Sequence, residues 1–188
     1  MRKILLTLTF CGLTLIAKSQ IASVEQSTFG IQTGFLGIWA HNEKKLSNQI
    51  ALRSELGFDT GVWGDDSNDG IGFLLAPVIT LEPRWYYNLI KREIKSRRID
   101  GNSGNFISLK TSYHPDWFVL SDYDNVSIIS NISIVPTWGI RRNIGYHFTY
   151  ETGIGIGYVY YYYAKDLRYL ENESKATANL HLRIGYRF

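Results

Sequence analysis

His147 and Glu151 are the best candidates for a catalytic pair in this chain of 188 residues. They stand four residues apart in a segment of alternating polarity, so in a β-strand both side chains lie on one face. An imidazole near a carboxylate suits general acid–base chemistry. Four residues of strand span about 13 Å, so a direct contact would need a bridging water or long side chains that lean together. The pair is a candidate site without a predicted direct contact.

Gly153, Gly155 and Gly157 superficially resemble a nucleotide-binding loop. The same segment continues into Tyr158–Tyr163 as a strand, and the helix that should hold the phosphates is absent from the pattern. The sequence also contains no Walker loop, no zinc-type Cys/His spacing and no serine-nucleophile elbow. We therefore predict neither a cofactor nor a metal site, and assign the glycines a packing role.

The composition indicates one folded domain, because 45% of the residues are hydrophobic and 20% are charged. The mean hydropathy is -0.13, and no apolar run approaches the roughly 20 residues that span a bilayer as a helix. These values argue against a helical membrane bundle. Thirteen Tyr, nine Phe and five Trp argue equally against disorder.

The N-terminus has the pattern of a secretory signal peptide. Arg2 and Lys3 precede an uncharged stretch from Ile4 to Ile16, and small residues stand three and one positions before Gln20. A retained membrane anchor is the alternative, although a run of 13 uncharged residues is short for a spanning helix. Cys11 would leave with the signal.

Cleavage before residue 20 would leave residues 1–19 as the signal peptide and residues 20–188 as one mature domain. The Lys and Arg count would fall from 20 to 17, equal to the 17 Asp and Glu. The mature chain would then be formally neutral. Nucleic-acid binding therefore has no support from composition, and no nucleic-acid partner is expected.

Seven segments of the mature chain alternate between apolar and polar residues, and polar turns separate them. The predicted strands cover residues 28–40, 49–61, 71–88, 105–114, 125–139, 143–163 and 176–188. We place a short turn at Arg141–Asn143. Residues 89–98 are either a short basic amphipathic helix at a membrane surface or a flexible charged loop.

Alternation alone fits both a soluble sandwich and a membrane barrel. The long apolar faces favour a barrel, and so do aromatic residues near the strand ends, which suit interfacial girdles. These residues are Trp39, Trp85, Tyr87, Trp138, Tyr146 and Tyr186. The opposite faces carry Arg, Glu, Lys and Gly, as in a polar barrel interior. The predicted fold is all-β: a closed antiparallel up-and-down transmembrane β-barrel.

The last strand, Leu180-x-Leu182-x-Ile184-x-Tyr186-x-Phe188, resembles the terminal strand of small Gram-negative outer-membrane barrels, including OmpA/OmpX-like domains. Residues 81–88 are similar to related barrels of unassigned function. The resemblance implies a monomer in the outer membrane, in contact with its lipid. It also implies that the barrel-insertion machinery reads Tyr186 and Phe188. Bacterial barrels have even strand numbers of at least eight, so we expect an eighth strand within residues 21–29.

The inward faces of the predicted strands carry a luminal charge network that should pair across strands. Its members are Arg53, Glu55, Asp59, Glu82, Arg84, Lys110, Glu151 and Arg183, and Arg187 is a further base on the same inward face. Such side chains fill an eight-stranded barrel and leave no wide channel. The expected role is therefore non-enzymatic, in envelope structure or surface interaction. The alternatives are a lipid-modifying enzyme that uses His147 and Glu151, and a narrow pore.

Charge is divided between the two ends of the predicted barrel. With the C-terminus in the periplasm, as the resemblance implies, the outer connections hold nine acids and three bases, and the periplasmic connections hold nine bases and three acids. The outer connections cover residues 62–70, 115–124 and 164–175. Acidic loops could bind divalent cations, and the basic end could contact anionic lipid or cell-wall polymer. The alternative is solvated loops without a specific ligand.

Overall fold

The computed structural model describes residues 22–64, 71–121, 126–162 and 173–188, so the predicted signal peptide lies outside the described residues. The strands are β1 (Ser27–Gly34), β2 (Gly37–Lys45), β3 (Ile50–Gly64), β4 (Ile71–Trp85), β5 (Asn105–His114), β6 (Leu120–Ser121), β7 (Asn131–Ile144), β8 (Phe148–Tyr161) and β9 (Glu173–Arg187). One helix, α1 (Leu89–Ile94), and a 3₁₀ turn, Asp100–Asn102, lie between β4 and β5.

Eight long strands form one closed antiparallel barrel. Each pairs with its neighbours along the chain, and β1 also pairs with β9, from Gly30 opposite Arg187 to Gly34 opposite Arg183. The two-residue strand β6 adds to β4 beyond the end of β5. The predicted all-β up-and-down barrel is confirmed. Among the described residues, no helix is long and apolar enough to cross a membrane.

The eighth strand arises where the sequence predicted a single strand, 28–40. A turn at Phe35 and Leu36 splits that segment into β1 and β2, and Gly37 follows it with a φ of +145°. The expected strand within residues 21–29 is wrong, because residues 22–26 belong to no strand. Apolar turn residues continue the alternating pattern, which hides the turn. The turn also moves Trp39 from the predicted outer girdle to the inside of the barrel, where it is 3% exposed.

A second boundary differs from the prediction. Strand β7 continues through Arg141–Asn143 to Ile144, and the turn lies at residues 145–147, where Gly145 has a φ of +66°. The predicted turn at Arg141–Asn143 is wrong, because Arg141 faces the interior and is fully buried. For residues 89–98, the structure forms a helix over the first six residues and irregular chain after them.

One end of the barrel is closed by an apolar cluster, and we call it the plugged end. The cluster joins Leu89 of α1 to Tyr86 and Phe106, with Ala22, Val24 and Ala51 packed against them. A Cβ atom at Gly139 would collide with the Phe106 ring, so the glycine makes room for the plug. Arg187 Nη1 ties the N-terminal segment to the last strand by donating to Glu25 Oε1 at 2.9 Å.

The opposite end carries the turn between β1 and β2 and the connections between β3 and β4, β5 and β7, and β8 and β9. We call it the loop end. Residues 65–70, 122–125 and 163–172 of these connections lie outside the described residues. The predicted acidic outer loops therefore fall largely in that part of the chain, and their cation binding remains a prediction.

Candidate functional site

Among the described residues, eight charged side chains in the barrel interior are at most 3% exposed. The four arginines are Arg53, Arg84, Arg141 and Arg183, and the four glutamates are Glu43, Glu55, Glu82 and Glu151. These residues lie inside the barrel because the side chains of a strand point alternately inward and outward. Equal numbers of both signs make this cluster, which we call the interior cluster, formally neutral. Burial of so many charges is tolerated only when each is paired.

Arg84 links the cluster across the barrel. Its Nη1 donates to Glu151 Oε2 at 2.9 Å, and its Nη2 donates to Glu151 Oε1 at 2.8 Å. The same Nη2 also donates to Glu82 Oε2 at 2.7 Å. Ser108 Oγ completes the shell of Glu82 by donating to Oε1 at 2.5 Å. The fork of the guanidinium therefore fixes two carboxylates from strands on different sides of the interior.

Glu55 is held by two arginines. Arg183 Nη1 donates to Glu55 Oε1 at 2.8 Å and to Oε2 at 3.1 Å, and Arg53 Nε donates to Oε1. Arg53 Nη2 donates to Gln32 Oε1 at 2.5 Å. Arg53 Nη1 lies 3.7 Å from a carboxylate oxygen of Glu151, which connects this half of the cluster to Arg84.

Glu43 and Arg141 also belong to the interior cluster, although neither is a predicted member of the luminal charge network. Arg141 Nη1 donates to Glu43 Oε2 at 2.8 Å. Tyr86 Oη and Asn102 Nδ2 each donate to Glu43 Oε1 at 2.7 Å, which joins the cluster to the plug. The alternating pattern of β2 and β7 would have predicted that Glu43 and Arg141 face inward, but only if the turns at residues 35–36 and 145–147 had been placed correctly.

Asp59 and Lys110, two further predicted members, lie outside the interior cluster, toward the loop end. Together with Trp39 and His114 they line a cavity of about 200 Å³, which we call the vestibule. Asp59 Oδ1 accepts from Trp39 Nε1 at 2.7 Å, and Asp59 Oδ2 lies 3.0 Å from His114 Nε2. The Arg183 guanidinium stacks 3.8 Å above the Trp39 ring and separates the vestibule from the interior cluster.

His147 and Glu151 are not brought together. His147 lies in the exposed turn after β7, where its Nδ1 is 3.1 Å from the Arg187 carbonyl oxygen and its ring stacks on Tyr186. Glu151 is fully buried and bound by Arg84. The expectation that both face inward fails because the strand begins at Phe148, one residue after the histidine.

The carboxylates of the interior cluster are all paired with arginines. Each of its four carboxylates already accepts a hydrogen bond from an arginine, so none is a free base. Among the described residues, no group of three or more His, Cys, Asp or Glu side chains is placed to hold a metal ion. The arrangement supports a closed, solvent-excluding section across the barrel.

Comparison of the chain with protein-family models, with curated proteins and with solved structures found no match.

Proposed function

We propose that this chain is an integral outer-membrane β-barrel with a plugged interior and a non-enzymatic role in envelope structure or surface interaction. The observation that carries the proposal is that the barrel has a charged interior and an apolar outer surface, the reverse of a soluble protein. Charges fill the interior, whereas large apolar side chains such as Leu56, Ile154 and Leu182 stand outward with exposures of 63%, 57% and 67%. Soluble monomers rarely expose contiguous apolar surface beyond a few hundred Å², so a lipid environment suits this surface best.

The height of the apolar band supports insertion. Tyr150 and Tyr160 both stand outward on β8, ten residues apart. Ten residues of strand span about 33 Å, or about 25 Å along the barrel axis at the usual tilt of membrane barrels. Exposed aromatic residues flank the band: Trp85, Tyr87, Trp138, Tyr146 and Tyr186 at the plugged end, and Trp117, Phe118, Tyr158, Tyr160 and Tyr162 at the loop end. Both features match a hydrocarbon core with two interfacial girdles.

Closure of the sheet also suits a lipid environment. Pairing of β1 with β9 leaves no long strand of the described part of the chain with a free edge. In hydrocarbon each unpaired backbone group costs several kcal/mol, so only closed barrels or helices can span a bilayer. Tyr186 and Phe188 stand outward on and just after β9, 40% and 75% exposed. This exposure is compatible with recognition by the barrel-insertion machinery, which together with outer-membrane lipid is the expected partner of a monomer.

Cell fractionation tests the membrane location. We expect the mature chain in the outer-membrane fraction, resistant to alkaline carbonate, with faster gel migration before boiling than after. A chain found in the soluble periplasm, or extracted by carbonate, would refute the proposal. The gel shift reports the folded barrel separately from its location, so a misfolded preparation is recognised.

Two further measurements test the non-enzymatic, closed interior. Mass spectra of lipid A from cells with and without the chain should be identical. A mass change that is lost in both His147→Ala and Glu151→Gln would establish the lipid-modifying alternative. In planar bilayers the fully buried interior cluster predicts no large, stable conductance. A steady conductance of the size of a porin would contradict a closed interior.

A further inference from the structure

A basic groove lies on the outside of the barrel at the plugged end. It has a volume of about 380 Å³ and is lined by eight described residues, of which five are Lys or Arg and none is acidic. Lys91, Arg92, Lys95 and Arg97 come from α1 and the chain just after it, and Arg142 comes from β7. Lys91 and Lys95 are four residues apart, so both side chains project to the same side of the helical turn.

The five positive charges have no carboxylate partner among the described residues. Arg92 donates from Nη2 to the Arg98 carbonyl oxygen at 2.8 Å, and Arg142 donates from Nη2 to Asn105 Oδ1 at 2.5 Å. Both acceptors are neutral. The nearby carboxylate of Asp100 is bound by Arg98 at 2.7 Å, outside the groove. The groove therefore keeps its full positive charge.

The positive charges that line the groove repel one another. Burial and the neighbouring Arg97 guanidinium lower the pKa of Arg92. Arg92 and Arg142 are anchored by hydrogen bonds to backbone and amide oxygens, so they cannot simply swing away from the other cations. An arrangement that holds repelling charges together is stabilised when an anion enters it.

We propose that this groove binds the phosphate group of an anionic ligand. Phosphate offers several strong acceptor oxygens, and arginine and lysine donors are the groups that proteins use to bind it. Two fixed guanidinium groups and two exposed, adjustable ammonium groups supply that donor set. Tyr87 and Asn105 on the groove wall add neutral polar groups beside the cations.

The position of the groove identifies a lipid headgroup as the source of the phosphate, a step that rests on the proposed membrane location. Tyr87 Oη accepts from Trp138 Nε1 at 2.9 Å, so the groove wall is part of the aromatic girdle. Trp85, Ile107 and Trp138 continue the apolar outer surface, 48%, 47% and 42% exposed. A phosphate in the groove would place attached acyl chains on this apolar band. Phosphatidylglycerol is the simplest lipid with that chemistry.

Titration calorimetry of the full mature chain, refolded in a neutral maltoside detergent, tests the site. The probes are short-chain phosphatidylglycerol, phosphatidylcholine of the same chain length, and glycerol 3-phosphate. The groove variant is Lys91→Gln/Lys95→Gln. The matched control is Lys44→Gln/Lys45→Gln, which removes the same charge at the same end of the barrel but outside the groove. The gel shift confirms that each variant is folded.

We expect phosphatidylglycerol to bind more tightly than phosphatidylcholine. The groove variant should weaken phosphatidylglycerol binding roughly tenfold, because it removes two of the five cations and leaves Arg92, Arg97 and Arg142 in place. The control should change binding by less than about twofold, because its charges lie farther away and are screened by salt. Equal binding of the two lipids, or equal losses in both variants, would overturn the proposal.

The third probe separates the possible sources of phosphate. Glycerol 3-phosphate that binds as tightly as the lipid, with the same loss in the groove variant, would keep the phosphate site and overturn the lipid headgroup as its ligand. Failure of the membrane proposal is detected independently by fractionation. A soluble chain that still binds glycerol 3-phosphate through the groove would refute the location and retain the site.

Discussion

Arg84→Met is the most direct test of the interior cluster. Arg84 is fully buried and donates three hydrogen bonds of 2.7 to 2.9 Å to Glu151 and Glu82. Each bond to a charged partner is worth about 1.5 to 3 kcal/mol, but the neighbouring Arg53, 3.7 Å from Glu151, offsets part of the loss. Breaking a buried ion pair from one side costs about 3 to 5 kcal/mol, so we expect the unfolding free energy to fall by about 4 kcal/mol.

The assay is urea unfolding of the refolded chain in phospholipid vesicles, followed by tryptophan fluorescence and gel shift. The double variant Arg84→Met/Glu151→Leu removes one charge of each sign and leaves three of each in the cluster. It should recover about half of the lost free energy. The control Arg98→Met breaks an exposed pair with Asp100 and should have a far smaller effect.

Two results would refute the reasoning about the cluster. The first is a loss in Arg84→Met no larger than the loss in Arg98→Met. The second is a loss in the double variant equal to the sum of the losses in Arg84→Met and in the single variant Glu151→Leu. Either result would mean that the interior charges do not depend on one another, contrary to the contacts that join Arg84, Glu82 and Glu151.

Three more changes test the outer surface, the packing of the apolar cluster at the plugged end, and the pH dependence of the unfolding free energy. Ile154→Arg, near the middle of the apolar band, should cost about 2 to 4 kcal/mol in vesicles. Gly139→Ala should cost about 1 to 3 kcal/mol by pushing against Phe106. A hydrogen bond from Arg98 lowers the pKa of Asp100 in the folded chain. The ionised Asp100 carboxylate therefore stabilises the fold above its unfolded pKa, and this stabilisation is lost as the pH falls below about 4. Asp100→Asn should remove that acid-dependent part of the unfolding free energy.

The same urea assay measures all three changes. Ser47→Arg, in the exposed turn between β2 and β3, is the control for Ile154→Arg and should leave the free energy nearly unchanged. Equal costs for both arginines would contradict a lipid-facing band. Tolerance of Gly139→Ala would show that the plug is loosely packed. A pH profile of Asp100→Asn that is parallel to that of the unchanged chain would contradict the role given to this carboxylate.

The two mistaken turns show where local pattern loses information. Phe35 and Leu36 are apolar, and apolar residues are not the usual turn residues, so the segment 28–40 reads as one strand. Arg141–Asn143 has turn composition but continues β7, because Arg141 gains a buried partner in Glu43, 98 residues away in sequence. At Arg141 a contact between distant strands therefore overrides local propensity. The two turns account for the misplacement of Trp39 and Arg141 and for the omission of Glu43 from the predicted network.

The basic groove was only partly visible in the sequence. The concentration of Lys and Arg at residues 91–98 is a local property, and it predicts a basic surface at one end of the barrel. The addition of Arg142 to that surface depends on the pairing of β5 with β7, which places Arg142 Nη2 on Asn105. The exclusion of Asp100 from the groove likewise depends on its contacts with Arg98, Asn143 and Arg187.

The sequence by itself determined that the chain forms strands with an apolar face and a charged face, because period-two patterning is a local property of the backbone. It thereby placed Arg53, Glu55, Glu82, Arg84 and Arg183 on inward faces. Only the tertiary structure decided which charges meet. Closure of the barrel brings strands from opposite ends of the chain together, and strand register selects four arginines and four glutamates as a neutral cluster. Register is a property of paired strands, so no single strand contains it.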